Sequence, residues 1–222
     1  MYRRCLRWDF GFTCAFCLLH EVQVAPEGAR GSRRFWLEHL ELKKDRDDRD
    51  DLINRYDNVV YACSHCNAAR STRPRQAEDG RRLLDPCRDA WASHFAVDGD
   101  EIRGVTEHGT YTEQTYDLNN PIKTGLRADL RDAVEEALET LTKAPASIEE
   151  LMIALPDLPP ARQATRVETI ALLHRSLRRA RRTLQTLQVI PTDRDDACRC
   201  KSTAHHSPPD WLMAQAASIT LA

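Results

Sequence analysis

The sequence predicts an α+β protein, and three observations carry that reading. Two short runs in the first half, FWLEHLEL and DNVVYAC, are apolar or β-branched and of strand length. A helix-like segment, SHCNAARS, comes directly after the second run. The second half instead places apolar residues every three or four positions, the period of an amphipathic helix.

A chain of 222 residues has room for one good core and a small second unit. Charged residues make up 30% and apolar residues 41%, the latter a little below the globular norm of about 45%, as expected of a soluble protein with sizeable exposed segments. The net charge of -2 gives no overall basic signature, so nucleic-acid binding cannot be argued from it. The charge is segregated, however: arginine is dense over 70–82 and 175–182, and acids crowd 45–51 and 193–196. The opening MYRRCLRWDFGF lacks the apolar run of a signal peptide, and no stretch approaches the roughly 20 apolar residues of a membrane helix. The expectation is a soluble, cytoplasmic protein without membrane association.

In chain order, residues 1–95 hold the Cys and His clusters and read as strand, strand, helix, after a loop VAPEGARGSRR. Asp98-Gly99 between apolar flanks signals a β-hairpin, and TYTEQTYDL reads as a further strand, making 96–118 a small β appendage. Asn119 or Asn120 before Pro121 reads as a helix N-cap with proline in the first turn, leading Leu126, Leu130, Val134, Leu138 and Leu141 along one face. Pro145, Pro156, Pro159 and Pro160 punctuate the region beyond, around a short helix that Ser147 and Glu150 could cap. A longer helix spans about Ala161 to Leu187, and its leucine face needs cover from within the chain, a partner or a second copy. Its arginines read as a solvated side, with DNA contact as the alternative. Residues 119–190 thus form a helical extension, and 191–222 a loosely ordered tail in which Cys198, Cys200, His205 and His206 are incidental.

Six of the eight cysteines lie in the first 90 residues. Cys14-Ala15-Phe16-Cys17 and Cys63-Ser64-His65-Cys66 are two C-x-x-C pairs, each able to offer two thiolates from a tight turn, and together they satisfy a tetrahedral zinc. A redox pair would want one such motif in a βαβ frame, which this chain lacks. With four sulfurs engaged, the zinc has no open position and its role is architectural. Cys5 and Cys87 then read as packed or free thiols, and His20 and His65 as structural or exposed.

Between and beside the knuckles stand Trp36-Leu37-Glu38-His39-Leu40, Asp57-Asn58-Val59-Val60-Tyr61-Ala62-Cys63 and Cys66-Asn67-Ala68-Ala69-Arg70-Ser71. These segments resemble the HNH endonuclease family over roughly residues 10–75. The resemblance implies a zinc-stapled ββα-metal core that hydrolyses phosphodiester bonds of DNA or RNA. It implies His39 as general base, Asn58 orienting that ring, and Glu38 with Asn67 as ligands of a catalytic Mg2+ or Mn2+. Hydrolysis of a phosphodiester needs an activated water and a cation on the phosphate, which is the chemistry these residue types supply. Glu38 stands where aspartate is commoner, which bears on metal preference. Adjacent strand residues point to opposite faces, so Glu38 and His39 share a site only if a bulge or the strand end turns one of them. Arg70, Arg73, Arg75, Arg33 and Arg34 are the expected phosphate contacts. A further segment, RRLLDPCRDAWASHF through GVTEHGTYTEQTYDLNNP, is similar to the extension after the HNH core in some bacterial proteins, anti-phage effectors among them. That similarity implies a defence setting and a partner ATPase. The competing reading is a catalytically inactive zinc module that docks nucleic acid or a protein.

Overall fold

A computed structural model describes residues 2–24, 34–42 and 55–187. Arg33, most of the VAPEGARGSRR loop and the tail with Cys198, Cys200, His205 and His206 lie outside them. The described residues form an α+β structure in two compact units, residues up to Ala128 and Asp129–Gln188.

The first unit opens with helix α1 (Arg3–Asp9) and one turn, α2 (Glu21–Val24). Strand β1 (Phe35–His39) then pairs antiparallel with β2 (Val59–Cys63), in a regular register from Phe35↔Cys63 to His39↔Val59. Helix α3 (Ser64–Arg70) starts at the next residue, with Cys63 as its N-cap. The predicted order of strand, strand, helix is present. β2 is buried along its whole length, which explains why it reads as a continuous apolar run rather than an alternating one.

After the short turn α4 (Trp91–His94), β3 (Phe95–Asp98) and β4 (Glu101–Gly104) make a second two-stranded antiparallel sheet. The two-residue turn is Gly99-Asp100, one position later than Asp98-Gly99, because Asp98 pairs with Glu101; Gly99 takes the positive φ of 60° that such a turn requires. TYTEQTYDL is not a strand. Its residues Thr110–Tyr116 lie in helix α5 (Glu107–Tyr116), which Thr106 caps by accepting from the Gly109 amide at 3.1 Å and which ends at a left-handed Asp117. Its Thr and Tyr content favours a strand locally, but the cap and close packing on β4 override that preference. A Cβ on Gly104 would come within 2.2 Å of the Thr110 nitrogen, so only glycine admits this approach.

The β3–β4 hairpin and α5 are part of the first unit's core: Phe95, Ile102, Tyr116 and Leu118 join Leu6, Phe10, Phe35 and Tyr61 in one buried cluster. Phe16 of the first knuckle stacks on Tyr116 with ring centroids 3.7 Å apart.

Helix α6 (Pro121–Ile153) begins as expected, with proline first and the Asn120 Oδ1 accepting from the Ile122 amide at 3.0 Å. It does not stop at Pro145, which sits inside it. Ser147 therefore caps nothing, and its hydroxyl donates to the Lys143 carbonyl in the preceding turn. Helix α7 (Pro160–Leu187) comes next. In the second unit the two helices cover each other's apolar faces: Ala137 packs with Ala180 and Leu184, and Ile148 with Leu177. No helix among the described residues is long and apolar enough to cross a membrane.

Candidate metal centre and the residues around it

The two C-x-x-C turns converge. The sulfurs of Cys14, Cys17, Cys63 and Cys66 all lie within 4.8 Å of one another, and all four residues are buried. Cys17 and Cys63 sulfurs are 3.6 Å apart. A tetrahedral zinc with arms of about 2.3 Å has sulfur–sulfur edges of about 3.8 Å, so the donor set fits such an ion.

Local backbone geometry makes this possible. Leu18, just past the first pair, takes a left-handed φ of 63°, and the Cys14 amide bonds the Leu19 carbonyl at 2.9 Å, which closes the turn. The Ala15 amide reaches the Tyr61 carbonyl at 2.8 Å, tying this knuckle to β2. The second pair spans the junction of β2 and α3, so Cys66 falls in the first helical turn. The Cys63 amide also donates to the Cys14 sulfur at 3.4 Å. Burial pushes the Cys17 and Cys66 thiols well above their ordinary value, since several thiolates cannot share a dry pocket without a cation.

Arg127, in the first turns of α6, supports the knuckle from outside. Its guanidinium donates to the carbonyls of Asp100 at 2.6 Å, Leu118 at 2.9 Å and Cys17 at 3.3 Å. The sequence gives no signal for this, because an arginine at a helical position reads as solvent-facing until its neighbours are known.

The residues of the expected catalytic site are spread over β1, the start of β2 and α3. Regular pairing through His39 leaves no bulge in β1, so Glu38 and His39 leave the strand on opposite faces. Glu38 is buried, and its Oε1 accepts from Arg70 Nη1 at 2.6 Å. Burial raises the Glu38 carboxyl above the usual range, with Arg70 working against that. His39 is half-buried at the end of β1. Asn58 is buried, and its side chain brackets the backbone of Glu41, accepting from the amide at 2.8 Å and donating to the carbonyl at 3.2 Å. It thus fixes the path of the chain just after His39. Asn67 is half-buried on α3, one turn before Arg70.

Three of the expected phosphate contacts are corrected. Arg70 is fully buried and donates to Glu38, to the Leu40 carbonyl at 2.7 Å and to the His39 carbonyl, so it staples α3 to the end of β1. Arg75 pairs with Glu41 at 3.0 Å and Asp85 at 3.7 Å. Arg73 is exposed but spends one nitrogen on the Gln114 and Thr115 carbonyls, at 3.0 and 3.3 Å. Arg34 is exposed immediately before β1. The physical reason is common to the three: charged side chains close to a small core serve first to satisfy carbonyls and acids that the fold leaves there.

Compared with protein-family models, with curated proteins and with solved structures, the chain matches none of them.

Proposed function

We propose that the chain is a metal-dependent endonuclease of the HNH kind, hydrolysing phosphodiester bonds of DNA, with a structural zinc on Cys14, Cys17, Cys63 and Cys66. The observation that supports this reading is the succession β1, β2, α3 closed on the four-cysteine cluster, with His39 ending β1 and Asn58 holding the chain beside it. In this reading the His39 imidazole takes a proton from the attacking water. Asn58 fixes the segment that carries His39. A hard cation such as Mg2+ or Mn2+, when bound, supplies positive charge to the scissile phosphate, and Glu38 and Asn67 are the residues to hold it. With Oε1 accepting from Arg70, Glu38 would offer such a cation its other carboxylate oxygen. Arg34, exposed immediately before β1, is the described arginine of the expected set that would meet the phosphate backbone. Action against phage DNA beside a partner ATPase belongs to the same proposal, on the sequence resemblance alone.

Two observations favour a second reading, an inactive zinc module that docks nucleic acid or protein: Glu38 and His39, which a nuclease needs in one site, leave β1 on opposite faces. The Arg70 guanidinium, moreover, already supplies Glu38 with a cation inside the fold. The two readings separate in a cleavage assay on supercoiled plasmid with Mg2+ or Mn2+. Metal-dependent cutting that falls by about 100-fold or more in His39→Ala supports the nuclease, since general-base catalysis contributes at least that much. Absence of cutting by the folded, zinc-loaded wild type, with duplex binding retained, supports the docking module.

A further inference from the structure

We propose that the second unit pairs with a second copy of this chain, two α6–α7 hairpins closing into a four-helix bundle. Within one hairpin the helices run antiparallel and cover each other along a single seam, Ala137 with Leu184 at one end and Ile148 with Leu177 toward the other. One side of that seam is an open groove. Ala133, Ala137 and Thr140 line it from α6, and Ser176, Ala180 and Thr183 from α7. These are small side chains a helical turn apart, so another helix can come close to both backbones. Leu172, one turn before Ser176 on the same side of α7, is 55% exposed, an apolar residue that nothing in the hairpin covers.

Charge identifies the occupant. From Asp129 to Ile153, α6 carries seven acidic and two basic side chains, whereas α7 carries seven arginines and one glutamate. Glu136 and Arg179 are exposed on the two rims of the groove. A nucleic acid drawn to α7 would meet the acidic α6 across the same groove. A second hairpin meets neither conflict, provided that each α6 lies against the other copy's α7. A two-fold axis running along the helices gives that arrangement, and it keeps Glu136 near the level of the partner copy's arginines. An axis across the helices would set α6 on α6, acid on acid, and is excluded by the same charges.

The area is sufficient. The 25 residues 129–153 of α6 span about 37 Å at about 1.5 Å per residue. With a second helix about 10 Å away, one face covers about 700 Å² per copy, close to the roughly 800 Å² per partner of a stable interface.

The test is sedimentation equilibrium of the zinc-loaded full chain, which reads assembly independently of any cleavage. The wild type is expected at twice the chain mass. Glu136→Arg and Arg179→Glu, both at exposed positions, are each expected to weaken self-association by about tenfold or more. Mixed together, the two variants should associate again, because each contact between copies then joins an arginine to a glutamate. Recovery on mixing also shows that neither variant is misfolded. A wild type that remains monomeric, single variants that associate as well as wild type, or a mixture that stays monomeric would each overturn the proposal. A monomer that binds duplex DNA and loses it in Arg179→Glu would assign the surface to nucleic acid instead.

Discussion

Arg70 and Glu38 show how a buried charge is tolerated. The guanidinium has no exposed surface, yet the Glu38 carboxylate and the Leu40 and His39 carbonyls accept from it. Removing one member leaves the other charge in the core without its partner, which commonly costs about 3 to 5 kcal/mol. Arg70→Ala is expected to lose that much unfolding free energy in urea. The double variant Glu38→Met with Arg70→Met should recover a large part, because the desolvation of both charges disappears together. His20 presents the opposite case. Its ring is buried, no partner among the described residues meets its Nε2, and burial, with Arg7 nearby, lowers its pKa to about 4. The native protein therefore binds fewer protons than the unfolded chain between pH 6.5 and about 4. Stability is full above that window and falls as pH drops through it, by on the order of 3 kcal/mol. Unfolding measured at pH 7 and pH 5 should show the loss, and His20→Gln should flatten it.

At the scale of elements, two helix signals are directly testable. The Asn120 side chain satisfies an amide in the first turn of α6, and Asn120→Ala should cost about 1 kcal/mol. Pro145 has no N–H to give the turn before it, yet the helix continues because Ala144 and Ile148 on either side are buried against Leu177. Packing along the seam outweighs the local penalty. Pro145→Ala should therefore raise the melting temperature, with a gain of up to about 3 kcal/mol. The knuckles are the element on which the first unit depends most. They hold together the turn at Cys14, the end of β2 and the start of α3. Cobalt substitution should give the visible d–d bands and near-ultraviolet sulfur-to-cobalt charge-transfer bands of a tetrahedral tetrathiolate site, and Cys66→Ser should weaken them.

At the scale of the molecule, the two units have separate cores, and among the described residues the four-cysteine cluster that can hold a metal belongs to the first. Every described Trp and Tyr also belongs to the first unit, between Tyr2 and Tyr116. Chelation of the metal should therefore abolish the near-ultraviolet circular dichroism that those rings produce, while much of the helical signal from residues 129–187 survives. Loss of both signals together would mean that the helical hairpin cannot hold its structure without the metal-bound unit. A metal ion on the four cysteines would set the stability of one unit directly, since binding free energy to a structural site is folding free energy.

The spacing of the cysteines marked each C-x-x-C as a pair of donors, because a tight turn fixes two sulfurs near each other before any tertiary contact forms; the meeting of the two pairs rests on the tie between Ala15 and Tyr61 of β2. The strands at Phe35–His39 and Val59–Cys63, the helix after them, and the Asn-Pro start of α6 were equally legible, each depending on residues adjacent in the chain. What the sequence could not specify is which distant group each charged side chain meets. Arg70 reads as a phosphate contact until α3 is laid against β1 and its guanidinium is found inside. The strand-like TYTEQTYDL became a helix because of Thr106 and the close approach to Gly104, and α6 passed Pro145 because α7 covers its flanks. Local preferences are worth about 1 kcal/mol per residue or less, and about 3 kcal/mol for a proline inside a helix, and burial of several side chains together exceeds them. Composition, period and spacing determined the β1–β2–α3 succession, the start of α6 and the four candidate metal ligands; the tertiary structure decided the helix at 107–116, the length of α6 and which polar groups were left facing solvent.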